Sequence, residues 1–99
     1  MSFVNTQPEM MTVAALDLQG VGSQMAAGNA AVAGPTTAVA PAAADEVSAL
    51  TAAVFSTHAA MYQAVSAQAA AIHQMFVTTL GSSAGSYAVA EAANAAAMS

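Results

Sequence analysis

Apolar residues recur at heptad spacing along two stretches of this chain, and each stretch is long enough to form a helix. In the first stretch the intervals alternate between three and four residues, which places the apolar side chains on one helix face. The members of this seam are Met11, Ala14, Leu18, Val21, Met25, Gly28 and Val32. Pro8 and Glu9 indicate the helix start, because a proline at the first position needs no N–H partner and a carboxylate there meets the positive end of the helix dipole. The pattern predicts a first helix over about residues 8–37, ending before Pro41.

The second stretch carries a wider apolar surface. Asp45 and Glu46 indicate the start of its helix, and the glycines and serines from Gly81 to Gly85 indicate its end. We therefore predict, within a single domain over residues 1–99, a connector over about 38–44, a second helix over about 45–80 and a C-terminal tail over 81–99. One stripe of this helix consists of Thr51, Phe55, His58, Tyr62, Val65, Ala69, Ile72 and Phe76, and a neighbouring stripe adds Val47, Leu50, Val54, Met61 and Leu80.

The width of the second apolar surface is typical of a helix that touches two neighbours, whereas a two-helix hairpin supplies only one. The first helix is also weak, because Gly20, Gly22 and Gly28 each cost about 1 kcal/mol relative to alanine in a helix interior. The alternative is that all of these positions pack within the hairpin itself. We favour an all-α fold in which an antiparallel two-helix hairpin completes a four-helix bundle with a partner chain. The predicted partner interface consists of Met11, Leu18, Val21, Met25, Val32, Phe55, Tyr62, Val65, Ile72 and Phe76.

Composition and charge narrow the functional classes. Alanine supplies 30 of the 99 residues, so bulky apolar side chains are scarce and one short chain builds only a small core. The chain has no lysine or arginine and a net charge of −5, which argues against binding to nucleic acid or to anionic lipid. The first ten residues lack the positive and apolar regions of a classical signal peptide. No stretch is apolar over the length that predicts a membrane span.

No arrangement of residues indicates an enzyme. His58 and His73 lie about 22 Å apart along one helix, which is too far to share a metal ion. Neither histidine has an acid or a serine at a spacing that suggests a catalytic triad, so we expect both to be packing or surface residues. Without cysteine there is no thiol nucleophile, and without lysine there is no phosphate-binding P-loop. We expect no catalytic residue, no metal, no cofactor and no small-molecule substrate.

One pair of residues near the end of the chain stands out from its alanine-rich surroundings. In SYAVAEAAN, residues 86–94, Tyr87 precedes Glu91 by four positions. On a helix this spacing places both side chains on one face, where a receptor can bind them together. The spacing alone is a weak signal, because composition produces such pairs by chance.

Taken together, the residues resemble the mycobacterial PE family over essentially the whole chain. The matching stretches are MSFVNTQPE with Pro8 and Glu9, PTTAVAPAAADEVSAL over residues 35–50 and YQAVSAQAAAIHQMF over residues 62–76. Their joint order and spacing are specific, whereas a Pro-Glu pair alone is not. The chain is similar to a short member that has the PE domain only.

The resemblance implies a function for the chain. It implies an obligate heterodimer with a protein of the PPE family, and export by type VII (ESX) secretion machinery to the cell surface or beyond. Tyr87 and Glu91 then fill a Y-x-x-x-[DE] export element. The residues themselves leave two other functions open, which are an amphipathic envelope- or membrane-associated protein and a self-associating helical dimer.

Overall fold

The chain folds into two long helices joined by a short connector. The structure, a computed structural model, describes residues 4–99. Helix α1 is Pro8–Thr37 and helix α2 is Glu46–Met98, and no strand occurs in this described range. The predicted all-α class is therefore confirmed, whereas the four-helix bundle with a partner stays a prediction. The first three residues of the MSFVNTQPE stretch lie outside the described residues.

Helix α1 begins at Pro8, the proline that marks its start in the sequence. The carbonyl oxygen of Gln7 accepts hydrogen bonds from the N–H groups of Met10 and Met11 at 3.0 and 3.2 Å, so Gln7 occupies the N-cap position. The helix ends at Thr37, as predicted. Pro35 lies within its last turn, so the hydrogen bond that this proline removes is next to the helix end.

Helix α2 is capped by the side chain of Asp45. Its Oδ1 accepts a hydrogen bond from the Ser48 N–H at 2.7 Å, and its Oδ2 accepts one from the Ser48 hydroxyl at 3.2 Å. An acceptor at this position satisfies an N–H group that the first turn of a helix leaves unpaired. Glu46 lies in that first turn, where the helix dipole favours a negative charge. The predicted start of the second helix is confirmed to within one residue.

The predicted end of the second helix near residue 80 was wrong, because α2 continues through the glycine- and serine-rich segment to Met98. Gly81 and Gly85 each destabilise a helix by about 1 kcal/mol relative to alanine, but neither has a positive φ. Between them Ala84 is only 2% exposed, so tertiary packing favours the helical conformation there. A separate helix in the tail would require a second nucleation, whereas an existing helix extends one residue at a time.

One compact unit, called unit 1, combines residues 4–22 with His73–Ser99. Its two helical segments run antiparallel, since Thr6, two residues before α1, contacts Glu91 near the end of α2, while Leu18 in the middle of α1 contacts His73. The buried side chains of unit 1 are small or medium in size: Pro8, Ala15, Val77 and Ala84. Small side chains at the contact let two helices approach closely, but they bury little apolar area.

The other compact unit, called unit 2, is Ser23–Ile72 and contains the connector. Its helical segments are also antiparallel, because Asn29 contacts Tyr62 and Gln63 while the Val39 N–H donates to the Ser56 hydroxyl at 3.2 Å. Ala52 is the buried apolar residue of this unit. Alanine and polar contacts, rather than large apolar side chains, therefore hold the two segments together.

The face of α1 that packs against α2 differs from the heptad seam marked by periodicity. In unit 1 the packed positions are Pro8, Met11, Ala15, Leu18 and Gly22, and in unit 2 they include Asn29 and Ala33. Met11 and Leu18 belong to both patterns, whereas the rest of the predicted seam is exposed. Side-chain size accounts for the difference between the packed face and the predicted seam. Alanine and glycine fit between the closely packed helices, whereas most of the larger apolar side chains lie outside the contact.

Candidate functional site

Large apolar side chains lie on the outer face of the α2 segment in unit 2. Ile72 is 67% exposed and Val65 is 63% exposed, although both are aliphatic. The exposed apolar set of this segment is Val47, Leu50, Val54, Phe55, Met61, Tyr62, Val65 and Ile72. Met25 and Val32 on α1 are exposed as well. The six interface residues predicted in this unit are therefore accessible, and their contact with a partner stays a prediction.

Unit 1 has exposed apolar side chains of its own. Val21, Met75 and Phe76 are exposed, whereas Met11 and Leu18 are half-buried. The last two face α2 within the chain, so a partner would bury only the remainder of their surface. The ten predicted interface residues are thus of two kinds, with eight exposed and two already partly covered.

Tyr87 and Glu91 both lie on α2, one turn apart and so on the same helix face. The Tyr87 ring is exposed and Glu91 is half-buried. The Oε1 atom of Glu91 accepts two hydrogen bonds, from the N–H and from the hydroxyl of Thr6, each at 2.9 Å. Sequence reasoning missed Thr6, because a contact across 85 residues leaves no spacing signal. The glutamate is therefore held in place while the tyrosine is presented to solvent.

Polar groups also cross between the helices inside each unit. In unit 1 the Nε2 atom of His73 lies 2.6 Å from the Leu18 carbonyl oxygen, so the ring donates from that nitrogen. His73 is half-buried and His58 is exposed, which agrees with the packing and surface roles expected of them. The imidazole of His73 fills the space next to Gly22, where an added Cβ would lie 2.8 Å from two ring atoms.

In unit 2 the Tyr62 hydroxyl donates to Oδ1 of Asn29 at 2.7 Å, and Nε2 of Gln63 donates to the Asn29 carbonyl oxygen at 3.1 Å. The sequence did not single out Asn29 or Gln63, because neither belongs to an apolar stripe. Tyr62, which was predicted to contact a partner, is thus tied to α1 by its hydroxyl while its ring stays half-exposed.

The described residues offer little that supports chemistry. Residues 4–99 contain no group of three acidic, histidine or cysteine side chains placed to hold a metal ion. An open groove of about 280 Å³ in unit 2 is lined by eight residues without an ionisable side chain, namely Val39, Ala40, Ala42, Val47, Ser48, Thr51, Ala52 and Phe55. Over the same described residues, neither helix has a segment long and apolar enough to cross a membrane.

Comparison with known proteins places the chain in a family. The model of the PE family matches residues 4–94. The chain is 66% identical to the PE family protein PE13 of Mycobacterium tuberculosis over 99 residues, the full length of both. It is 59% identical to PE8 and 60% identical to PE_PGRS33 of the same species, but it spans only 35% and 19% of their respective lengths. With nearly the whole chain matched by the family model and by a relative of equal length, this protein belongs to the PE family.

Proposed function

We propose that this protein is a non-enzymatic partner subunit that pairs with a PPE-family protein and carries a type VII export signal at the end of α2. The observation that carries the proposal is the inverted distribution of side chains. Alanine occupies most of the buried positions, while many of the largest apolar side chains, among them Ile72, Phe76 and Met25, are exposed. Extended exposed apolar surface of this kind is typical of a site that contacts another protein or a membrane.

The energy available from covering this surface is large. The six predicted interface residues of unit 2 are between 43% and 67% exposed. Burying one such side chain fully contributes about 1.5–3 kcal/mol, so covering the exposed part of all six contributes roughly 5–10 kcal/mol before the cost of association. The neighbouring stripe of Val47, Leu50, Val54 and Met61 adds to this gain.

Charge favours a different protein over a second copy as the partner. The chain has no lysine or arginine and a net charge of −5, so a homodimer would bring two negative surfaces together without a side-chain cation of those types. Like charges across an interface disfavour association, whereas a partner of other composition avoids this. A heterodimer therefore fits both the apolar faces and the charge.

The tail supports the export role through geometry. Tyr87 and Glu91 lie on one helix face, as a two-residue recognition element requires. We expect Tyr87→Ala and Glu91→Ala to reduce the amount of protein in culture filtrate, while the amount of heterodimer in the cell stays constant. Val89→Ala is the matched control, because it truncates a 72% exposed side chain of the same segment that lies on a different helix face from Tyr87 and Glu91.

Co-expression tests the pairing. The chain is produced alone and together with candidate PPE-family proteins of its host, and the soluble fraction is analysed by size exclusion with light scattering. We expect a 1:1 complex in the second case and poor solubility in the first. A monodisperse, cooperatively unfolding monomer that binds no PPE-family protein would refute the proposed function.

The exposed apolar faces also support a second candidate, which is association with an envelope or membrane surface through apolar contacts. Flotation with neutral phosphatidylcholine vesicles, with and without the partner, separates the two. Binding that disappears when the partner is present assigns the faces to the heterodimer. Self-association of the isolated chain would appear in the same light-scattering experiment as a particle of twice the chain mass.

A further inference from the structure

A residue in front of α1 holds the acid at the end of α2. Thr6 donates twice to Oε1 of Glu91, once from its backbone N–H and once from its hydroxyl, both at 2.9 Å. Both residues are half-buried, so the contact is partly shielded from water. Hydrogen bonds to an ionised carboxylate are stronger than those between neutral groups. The contact therefore restricts the rotamers of a side chain that would otherwise move freely on a helix surface.

The composition of the chain leaves few groups that compete with Thr6 for the Glu91 carboxylate. There is no lysine or arginine, so no side-chain cation of that kind competes for the Glu91 carboxylate. Amide, hydroxyl and imidazole groups are the remaining side-chain and backbone donors, and Thr6 supplies two of them from one residue. Its N–H lies two residues before Pro8, the first residue of α1.

We propose that Thr6 is a positioning residue of the export element, so that Glu91 has its recognised orientation only when the start of α1 is docked on the end of α2. This inference rests on the proposed export role of Tyr87 and Glu91. Its consequence is that the element is complete only in the folded chain. An unfolded chain carries the same two residues, but it lacks the fixed carboxylate.

Thr6→Val tests the inference in the full chain, expressed in its host with its partner. Valine keeps the shape and the backbone N–H and removes the hydroxyl donor. We expect the exported amount per folded complex in the cell to fall by about tenfold or more, which corresponds to the loss of one hydrogen bond to a charged group. Thr6→Ser keeps the hydroxyl and restores export. Thr12→Val is the matched control, because the Thr12 hydroxyl donates to the Pro8 carbonyl oxygen at 3.1 Å and not to Glu91.

A purely structural role for Thr6 gives a different result. In that case Thr6→Val lowers the melting temperature of the complex, while the exported amount per folded complex is unchanged, and the inference is overturned. Combining Thr6→Val with Glu91→Ala provides a second readout. We expect no further loss of export beyond Glu91→Ala alone, since Thr6 acts through that carboxylate. An additional loss of the same size would show that Thr6 does not act through Glu91, and this result would also overturn the inference.

Tyr87→Ala separates this inference from the proposed function. If Tyr87→Ala and Glu91→Ala both leave export unchanged, the export element itself is wrong and the inference falls with it. If both variants abolish export and Thr6→Val has no effect, the element stands and only the positioning role is wrong. Amide hydrogen exchange of Thr6 in the purified complex checks the contact directly, with faster exchange expected in Glu91→Ala.

Discussion

Replacing Gly22 by alanine tests how closely α1 and α2 depend on each other in unit 1. The His73 ring donates to the Leu18 carbonyl oxygen at 2.6 Å and lies beside the missing side chain of Gly22. A Cβ there would lie 2.8 Å from Cδ2 and Nε2 of His73. That distance is about 0.7 Å short of an ordinary contact of about 3.5 Å, so the imidazole has to move. Gly20 is the matched position, because its added Cβ meets nothing within 4 Å.

Two opposing effects set the magnitude at Gly22. Replacing glycine by alanine in a helix interior contributes about 1 kcal/mol of stability. Moving the His73 ring removes about 0.5–1.5 kcal/mol for the hydrogen bond and about 0.5–1.5 kcal/mol for a displaced rotamer. Gly22→Ala is therefore expected to destabilise by roughly 0 to 2 kcal/mol, whereas Gly20→Ala stabilises by about 1 kcal/mol. The two variants should differ in free energy of unfolding by about 1 to 3 kcal/mol, although they make the same chemical change two residues apart.

Urea unfolding followed by far-UV circular dichroism measures the difference in free energy of unfolding between the two variants. All samples have the same protein concentration, and the partner is either present in all of them or absent from all of them. A double-mutant cycle assigns it to the imidazole. In a His73→Ala background, Gly22→Ala should recover the full stabilisation of about 1 kcal/mol. If Gly22→Ala stabilises the chain with His73 intact as much as Gly20→Ala does, the close contact has no energetic role and the reasoning is wrong.

Three further predictions concern other parts of the fold. Asp45→Ala removes the N-cap of α2 and should lower stability by about 1 kcal/mol, whereas Asp45→Asn keeps an acceptor and should lower it less, as measured by thermal unfolding. Val65→Asp should abolish heterodimer formation in size exclusion without loss of helix content, while Ala60→Asp, at an exposed position on a different face of α2, should leave the heterodimer intact. Gly85→Ala should stabilise by about 1 kcal/mol, because its added Cβ meets nothing within 4 Å; a loss of stability or of helix content would contradict a continuous α2.

The starts of both helices were predictable from the sequence because local chemistry fixes them. A proline such as Pro8 is favoured at the first position of a helix, and Asp45 satisfies an N–H group of the turn that follows it. The far end of α2 was not predictable in this way. Two glycines and two serines in five residues predict a break, but Ala84 is buried among them and the alanine-rich segment that follows continues the helix.

The packed face of α1 was predicted only in part, for a reason of size. Periodicity finds the apolar positions, but it does not distinguish Ala15, which is buried, from Met25, which is exposed. Helices that approach through alanine and glycine exclude longer side chains from the contact, so much of the large apolar surface ends on the outside. The polar contacts of Asn29 and His73 were missed because their partners are backbone or side-chain groups on the other helix.

These polar contacts specify the register of the paired helical segments, which contacts between alanine side chains cannot do. A surface of small apolar side chains buries similar area whether one helix is in register with its neighbour or displaced by one turn of about 5.4 Å. Hydrogen bonds depend on distance and angle, so a displacement of that size would break them. In unit 1 the bonds from Thr6 to Glu91 and from His73 to Leu18 therefore distinguish one register from its neighbours. In a chain whose buried side chains are mostly small, the contact from Thr6 to Glu91, which orients the proposed export element, also specifies how the two helical segments of unit 1 pair.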